Sequence, residues 1–213
     1  MTIWMAGVAA ISLAYLLGAV PFGYIAGRLV KGIDIREHGS NSTGASNVFG
    51  VVGPVPAAVV LVLDVLKGSL AVVLTRWIIT AANMPVPDLQ TLLPWVILLS
   101  GLAAILGHSR SVWLGFSGGK SVATGLGVLL AMAWPVGVAG LLVFAASLAV
   151  TRFVAVSSIL AALSAILFAI LLNLPLPYLL LISVSALYVV WRHRSNLQRL
   201  RGGTEPRLGQ KPD

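Results

Sequence analysis

The sequence contains no cysteine, which excludes disulfides, thiolate metal sites and catalytic thiols. Charge is almost as scarce: 9% of the 213 residues are charged, against about 25% in an ordinary soluble domain. The three histidines, His38, His108 and His193, stand too far apart for a local metal motif, so no metal site and no cofactor are expected. No Ala-x-Ala-like cleavage site follows the first apolar run, which therefore reads as a membrane span and not as a signal peptide.

What fills the chain is apolar. Hydrophobic residues make up 58% of it and the mean hydropathy is +0.99, which identifies a membrane protein. A net charge of +8 would suit nucleic acid in a soluble protein. In this chain it points to membrane lipids as partners and away from nucleic acid. The expected fold is all-α, a single polytopic domain over 1–213 with about seven transmembrane helices. The predicted spans are 3–27, 51–82, 91–107, 120–134, 136–151, 153–173 and 177–191, divided at Pro85/Pro87, Trp134-Pro135, Arg152 and Pro175/Pro177. The fourth and fifth have an alternative as one kinked helix, but 120–151 would then be about 48 Å long, too long to stand upright in one bilayer.

Seven spans sort the charged loops cleanly. Arg28, Lys31, Arg36, Arg110, Lys120, Arg152, Arg192, Arg194, Arg199, Arg201, Arg207 and Lys211 fall on one side, and the opposite loops carry no Lys or Arg. The positive-inside rule makes the first side cytoplasmic, with the N-terminus outside and the C-terminus in the cytoplasm. All three histidines and the glycine-rich segments join the arginines there.

Three polar segments, 28–50, 107–124 and 192–205, carry the chemistry. Within the second, Gly118, Gly119, Ser121 and Thr124 surround Lys120 where a loop enters a helix, so backbone N–H groups, hydroxyls and an ammonium can face one anion. It is not a Walker A loop, because Leu114 stands where that motif needs its first glycine. The first segment interleaves Ser40, Asn41, Ser42, Thr43, Ser46 and Asn47 with Gly39 and Gly44, a composition suited to backbone wrapped around a polar ligand as well as to a solvated loop. The third holds an arginine cluster with Asn196 and Glu205. Arginines there can anchor headgroups, or Arg194 and Arg199 can grip a phosphate. Inside the second span, Asp64 and Lys67 share a helix face and can neutralise one another; Ser157 and Ser158 follow Arg152.

Together these residues resemble the acyl-phosphate:glycerol-3-phosphate acyltransferase family, PlsY. The resemblance rests on GSNSTGASN at 39–47 preceded by KGIDIREH, GHSRSVWLGFSGGKSVAT at 107–124 and HRSNLQRLRGGTE at 193–205, with DVLKG at 64–68 and RFVAVSS at 152–158. Three departures stand out: Ser42 where many members have Asn, Ser121 for a common Gly, and Gly50 where the family usually carries a phosphate-holding Arg, so that either another arginine such as Arg36 or Arg110 compensates or the activity is weakened or altered.

The resemblance implies transfer of an acyl chain from acyl-phosphate to the sn-1 hydroxyl of glycerol 3-phosphate, giving lysophosphatidic acid at the cytoplasmic face of a bacterial inner membrane. Its catalytic set is Ser40, His108, Lys120, Ser158 and His193, and its substrate-binding set is Asn47, Gly118, Gly119, Thr124, Arg194, Asn196, Arg199 and Glu205. Lys120, Arg194 and Arg199 would bind phosphate; His108 and His193 would donate to phosphate or to the developing oxyanion; Glu205 would orient an arginine. No His-x-x-x-x-Asp dyad is present, since Val112 and Trp113 follow His108 at that distance. The alternative from another class is a small-anion or lipid transporter, which predicts midplane polar residues and related halves; a lipid-surface scaffold is the blander option.

Overall fold

Long runs of Leu, Val, Ala and Ile become helices in an apolar solvent because a helix satisfies its own backbone hydrogen bonds. A computed structural model of the chain describes residues 3–82 and 86–210, and ten α-helices account for most of them. These are α1 (Ile3–Ala19), α2 (Phe22–Lys31), α3 (Ala45–Val51), α4 (Pro54–Thr80), α5 (Val86–Ser109), α6 (Val122–Met132), α7 (Trp134–Thr151), α8 (Val154–Leu171), α9 (Leu176–Arg192) and α10 (Arg194–Arg201). Lys211 and part of the predicted loop 83–90 lie outside the described residues, and α5 already begins at Val86.

All seven predicted spans are helical, but not equally long. Five helical runs are long and apolar enough to cross a membrane, and α9 with α10 makes a sixth if that pair, bent by 48°, is taken as one span. The first run, Ile3–Lys31, is broken in the middle. Sequence reading made 3–27 continuous, whereas Pro21 lacks the N–H that would continue the ladder, and α1 stops at Ala19. The fourth, α6, has only 11 residues, about 16 Å at 1.5 Å per residue, and falls short of the hydrocarbon thickness. It ends where Pro135 forces a new helix start, and it begins only after Ser121, which is left-handed at φ 65°.

Close helix approach compensates for the weak drive to associate in lipid. A Cβ on Gly68 of α4 would collide with the Thr124 carbonyl of α6, and one on Gly127 of α6 with the Val65 carbonyl of α4. These two glycines let α4 and α6 cross backbone to backbone. Elsewhere α1 packs on α5 and α4, and α7, α8 and α9 pack in succession. Ala71, Val72, Ile97, Val128, Leu181 and Ile182 form the centre of the core. Large apolar side chains such as Val55, Val62, Leu142, Leu167 and Leu187 point outward, the pattern of a lipid-facing surface.

The two buried charges of α4, Asp64 and Lys67, are paired. Lys67 Nζ lies 2.8 Å from Asp64 Oδ1, as their spacing predicts, and both side chains are buried. The same ammonium donates to the Val20 carbonyl at 2.8 Å, so it caps the break in the first span. Arg76, near the other end of α4, donates to the Met132 carbonyl at 3.4 Å, where α6 ends.

Candidate active site

The three polar segments meet at one end of the bundle. In the first, Asp34 caps the 3₁₀ turn Ile35–Glu37 by accepting from the Arg36 N–H at 3.0 Å. The Arg36 guanidinium folds back on the same carboxylate at 2.6 Å and reaches across to the Leu114 carbonyl (3.1 Å) and Ser117 Oγ (3.0 Å). Hydrogen bonding from Arg36 holds the Asp34 carboxyl down to about 2, against the opposing effect of its burial. Arg36 is thus committed to joining the first segment to the second.

Asn47, on α3, organises the rest of the first segment. Its Nδ2 shares two hydrogens among the carbonyls of Ile35 (3.1 Å), His38 (3.0 Å) and Ser42 (2.8 Å), and its Oδ1 accepts from the Ser40 N–H at 2.8 Å. With its side chain buried and fully used, Asn47 shapes the loop that presents Ser40, which is exposed.

The second segment is pressed onto the end of α5. Gly119 N–H donates to the His108 carbonyl at 3.1 Å. A Cβ on Gly118 would strike that carbonyl, and one on Gly119 would strike the His108 ring. His108 itself is buried, with Nδ1 at 3.6 Å from Asp64 Oδ1. Ser121 occupies a left-handed conformation, which accounts for glycine being common at this place among the proteins it resembles; its hydroxyl donates to the Ile105 carbonyl at 2.7 Å.

The third segment closes over Lys120. Lys120 Nζ donates to Asn196 Oδ1 at 2.8 Å, and Asn196 Nδ2 donates to Glu205 Oε1 at 2.6 Å. Arg199 Nε donates to Glu205 Oε2 at 2.8 Å. One continuous chain of charge-assisted bonds therefore runs Lys120, Asn196, Glu205, Arg199. Burial pushes the Lys120 ammonium down to about 8; Glu205 opposes the fall, and Arg199 and Arg192 add to it. His193 sits at the bend between α9 and α10 with Nδ1 at 2.8 Å from the Val189 carbonyl. A carbonyl can only accept, so the proton belongs on Nδ1 and the neutral ring offers Nε2 as an acceptor.

Not every predicted residue converges. Arg194 is exposed and stacks on the Trp191 ring at 4.6 Å, away from the Lys120 chain. Ser158 is buried and spends its hydroxyl on the Val154 carbonyl at 2.7 Å. Thr124 is buried with no hydrogen-bond partner for its hydroxyl among the described residues. Sequence reading gave Arg192 no role beyond its charge, yet its guanidinium donates to the carbonyls of Gly119 (2.7 Å) and Gly118 (3.4 Å) and so fixes the glycine loop. Its position as the first residue of the third segment, on the last turn of α9, was the available signal. Arg36, Arg110 and Arg192 border a cavity of about 430 Å³ shared with Asp34, Glu37 and Gly118, which lies beside the Lys120 chain and not on it.

The family model described as Glycerol-3-phosphate acyltransferase matches residues 8–203. The chain belongs to this family. Glycerol-3-phosphate acyltransferase 2 of Rhizobium johnstonii is 56% identical over 217 residues, covering 99% of each chain. Glycerol-3-phosphate acyltransferase of a Nostoc species is 51% identical over 208 residues, 95% of this chain and 92% of that one. Among solved structures, PlsY, an integral membrane glycerol 3-phosphate acyltransferase in its glycerol 3-phosphate form, superposes with a TM-score of 0.84 at 35% identity, covering 95% of this chain and 96% of that one. Its lysophosphatidic acid form gives 0.82 at 34% identity, covering 95% of both. The predicted membership and the helical membrane fold therefore hold.

Proposed function

We propose that this acyltransferase moves an acyl group from acyl-phosphate to the sn-1 hydroxyl of glycerol 3-phosphate, giving lysophosphatidic acid and inorganic phosphate. The observation that carries the reading is the Lys120–Asn196–Glu205–Arg199 chain, cationic groups held by a single carboxylate at one end of an apolar bundle. A bilayer holds the donor's tail beside such an end, while the water-soluble acceptor arrives from outside the bilayer. The two PlsY structures, in glycerol 3-phosphate and lysophosphatidic acid forms, match acceptor and product.

The glycerol oxygen attacks the acyl carbonyl carbon, the carbon–oxygen bond to phosphate breaks, and phosphate leaves with the electron pair. Positioning and electrostatics contribute most of the acceleration, since the mixed anhydride is already activated. Lys120 and Arg199 hold phosphate charge. The hydroxyl proton passes to the departing phosphate or to His193 Nε2, and Ser40 orients substrate from the exposed first loop. In this reading seven helical segments lie in a bacterial inner membrane, the N-terminus is outside, and the site and C-terminus face the cytoplasm; α6 is a segment that starts at the level of the site and not at the membrane surface. Family membership leaves the transporter alternative without a supporting feature.

Purified protein supplied with acyl-phosphate and labelled glycerol 3-phosphate, with acyl-CoA as a parallel donor, tests this. Lysophosphatidic acid from acyl-phosphate alone is expected. Product from acyl-CoA but not acyl-phosphate overturns the donor; no product from either in a folded sample overturns the function.

A further inference from the structure

The C-terminal segment after α10 is mostly exposed up to Gln210, yet it is tied back to the bundle. It runs to the α7–α8 turn and is gripped there at one residue. Leu208 N–H donates to the Arg152 carbonyl at 2.7 Å, and Arg152 Nη2 donates back to the Leu208 carbonyl at 3.3 Å. The Leu208 side chain lies with Leu148 and Ala149 along an apolar groove of α7. One residue further back, the Arg207 guanidinium stands 5.6 Å from the Phe153 ring centroid. Arg152 therefore meets Leu208 through both backbone and side chain.

The backbone of Arg152 is unusual. It sits in the left-handed region at φ 60°, ψ 10°, where residues with a Cβ are rare and glycine is the ordinary choice. That conformation ends α7 and leaves the Arg152 carbonyl to accept from Leu208, while the N–H still caps Leu148. Glycine would supply the turn without strain but would lack the guanidinium that completes the grip.

At the other end of the same segment is the candidate site. Thr204 N–H donates to the Arg199 carbonyl at 2.9 Å, and Glu205 follows with its carboxylate on Asn196 and Arg199. Helix α10 packs appreciably on no helix but α9 among the described elements. Among the described residues its hydrogen-bonded ties to the rest of the bundle are the bend at His193, the Lys120–Asn196 bond and, through the six residues 202–207, Arg152. A short helix fastened at one end by a bend is free to swing unless its other end is held.

We infer that Arg152 is a positioning residue: by clasping Leu208 it latches α10 and the tail over the site and sets Asn196 and Glu205 against Lys120. The latch makes no contact with substrate. It rests on the proposed function only in what it positions, phosphate-binding groups for glycerol 3-phosphate; the latch itself is a statement about α10 and the tail.

Hydrogen exchange on the full-length protein in detergent reads the latch directly, and steady-state kinetics with glycerol 3-phosphate reads its consequence. Four variants separate the contacts: Arg152→Ala, Arg152→Lys, Arg152→Gly and a chain ending at Pro206. In Arg152→Ala and the shortened chain, amides of 196–205 are expected to exchange at least tenfold faster while those of α4 and α5 are unchanged. KM for glycerol 3-phosphate is expected to rise at least fivefold, with kcat falling less than twofold. Arg152→Lys should recover most of both, and Arg152→Gly, which adopts the left-handed turn without strain but lacks the guanidinium, should fall between Ala and wild type. Unchanged exchange in both Arg152→Ala and the shortened chain refutes the latch, whether or not the protein transfers acyl groups. Faster exchange with an unaltered KM refutes the positioning role.

Discussion

Lys120 offers the sharpest test of the site. Its ammonium is partly buried, makes one side-chain hydrogen bond, to Asn196 at 2.8 Å, and is pushed by burial down to about 8. Removing it with Lys120→Ala deletes a charge-assisted contact to phosphate of about 1.5–3 kcal/mol, which corresponds to a loss of about 10- to 150-fold in kcat/KM. The fold should survive, because the side chain contributes nothing to the helix cores. The sign of the pH dependence follows from the depressed value. Lys120 is charged below about 8 and neutral above it, so wild-type kcat/KM should hold near neutrality and fall as pH rises through about 8. One pH unit higher, about a tenth of the charged form remains. A phosphate monoester has its second ionisation near pH 6, so the substrate adds no limb in that range. Lys120→Arg should work less well at its optimum but lose the alkaline fall, since guanidinium stays charged. The assay is initial rate against pH from 6 to 10 with wild type and both variants. A flat wild-type profile through pH 9.5 would refute the depressed ionisation of Lys120, and Lys120→Ala retaining more than half of wild-type activity would remove Lys120 from the site.

Four further outcomes are expected. Asn47→Ala should unpair three carbonyls and the Ser40 N–H, lowering kcat/KM by about 10-fold or more and lowering the thermal midpoint in detergent; Asn47→Asp, which turns an acceptor toward those carbonyls, should be worse. Gly119→Ala drives a methyl into the His108 ring and should abolish activity, and a variant as active as wild type would mean the glycine loop sits elsewhere. Asp64→Ala leaves Lys67 buried without its carboxylate and should destabilise the protein by about 3–5 kcal/mol, whereas Asp64→Leu combined with Lys67→Met should be milder; thermal unfolding of both decides it. Gly50 faces open space, so Gly50→Arg should fold normally and, if it supplies the contact usual in the family, lower KM for glycerol 3-phosphate by about 10-fold; an unchanged KM would mean that Arg110 or Arg192 already fills that role.

Hydropathy located the long helices, because apolar length is a one-dimensional property. The joint of the first span was not legible: Pro21 sits in an unbroken apolar run, and only the partners that accept its consequences, Ser111 Oγ on the Ala19 carbonyl at 2.6 Å and Lys67 on Val20, reveal a designed break. Motif spacing singled out Lys120, Asn196, Arg199 and Glu205 but gave no distance between them; the structure joins the four by hydrogen bonds. That required α10 to fold back, which a polar segment after a last span announces only weakly. Asn47 and Thr124 look from sequence like ligand-binding polar residues; three-dimensional burial shows Asn47 spent on its own loop. Arg194 and Arg192 are two residues apart and equally basic, yet the helix bend sends one onto Trp191 and the other onto the glycine loop. Residue type cannot separate them; the direction of the side chain does.

The interruptions share a purpose. In lipid, a free backbone carbonyl is tolerated only where protein satisfies it or a cavity receives it. Here the first span breaks at Val20, α6 starts late after Ser121, and α9 bends at His193. Each break frees backbone groups, and polar side chains take them up: Lys67 and Ser111 at the first, Arg192 at the glycine loop that precedes α6. The linked groups are contiguous, since Lys67 pairs with Asp64, Asp64 faces His108, and His108 lies under Gly119 beside Lys120. In the proposed reaction these breaks set the glycine loop and Lys120 where a water-soluble phosphate and the head of an acyl donor meet. If so, sealing the first break with Pro21→Ala should strengthen the helix yet misplace Lys67, lowering activity at unchanged or raised thermal stability; a variant both more stable and fully active would show that the break serves packing alone.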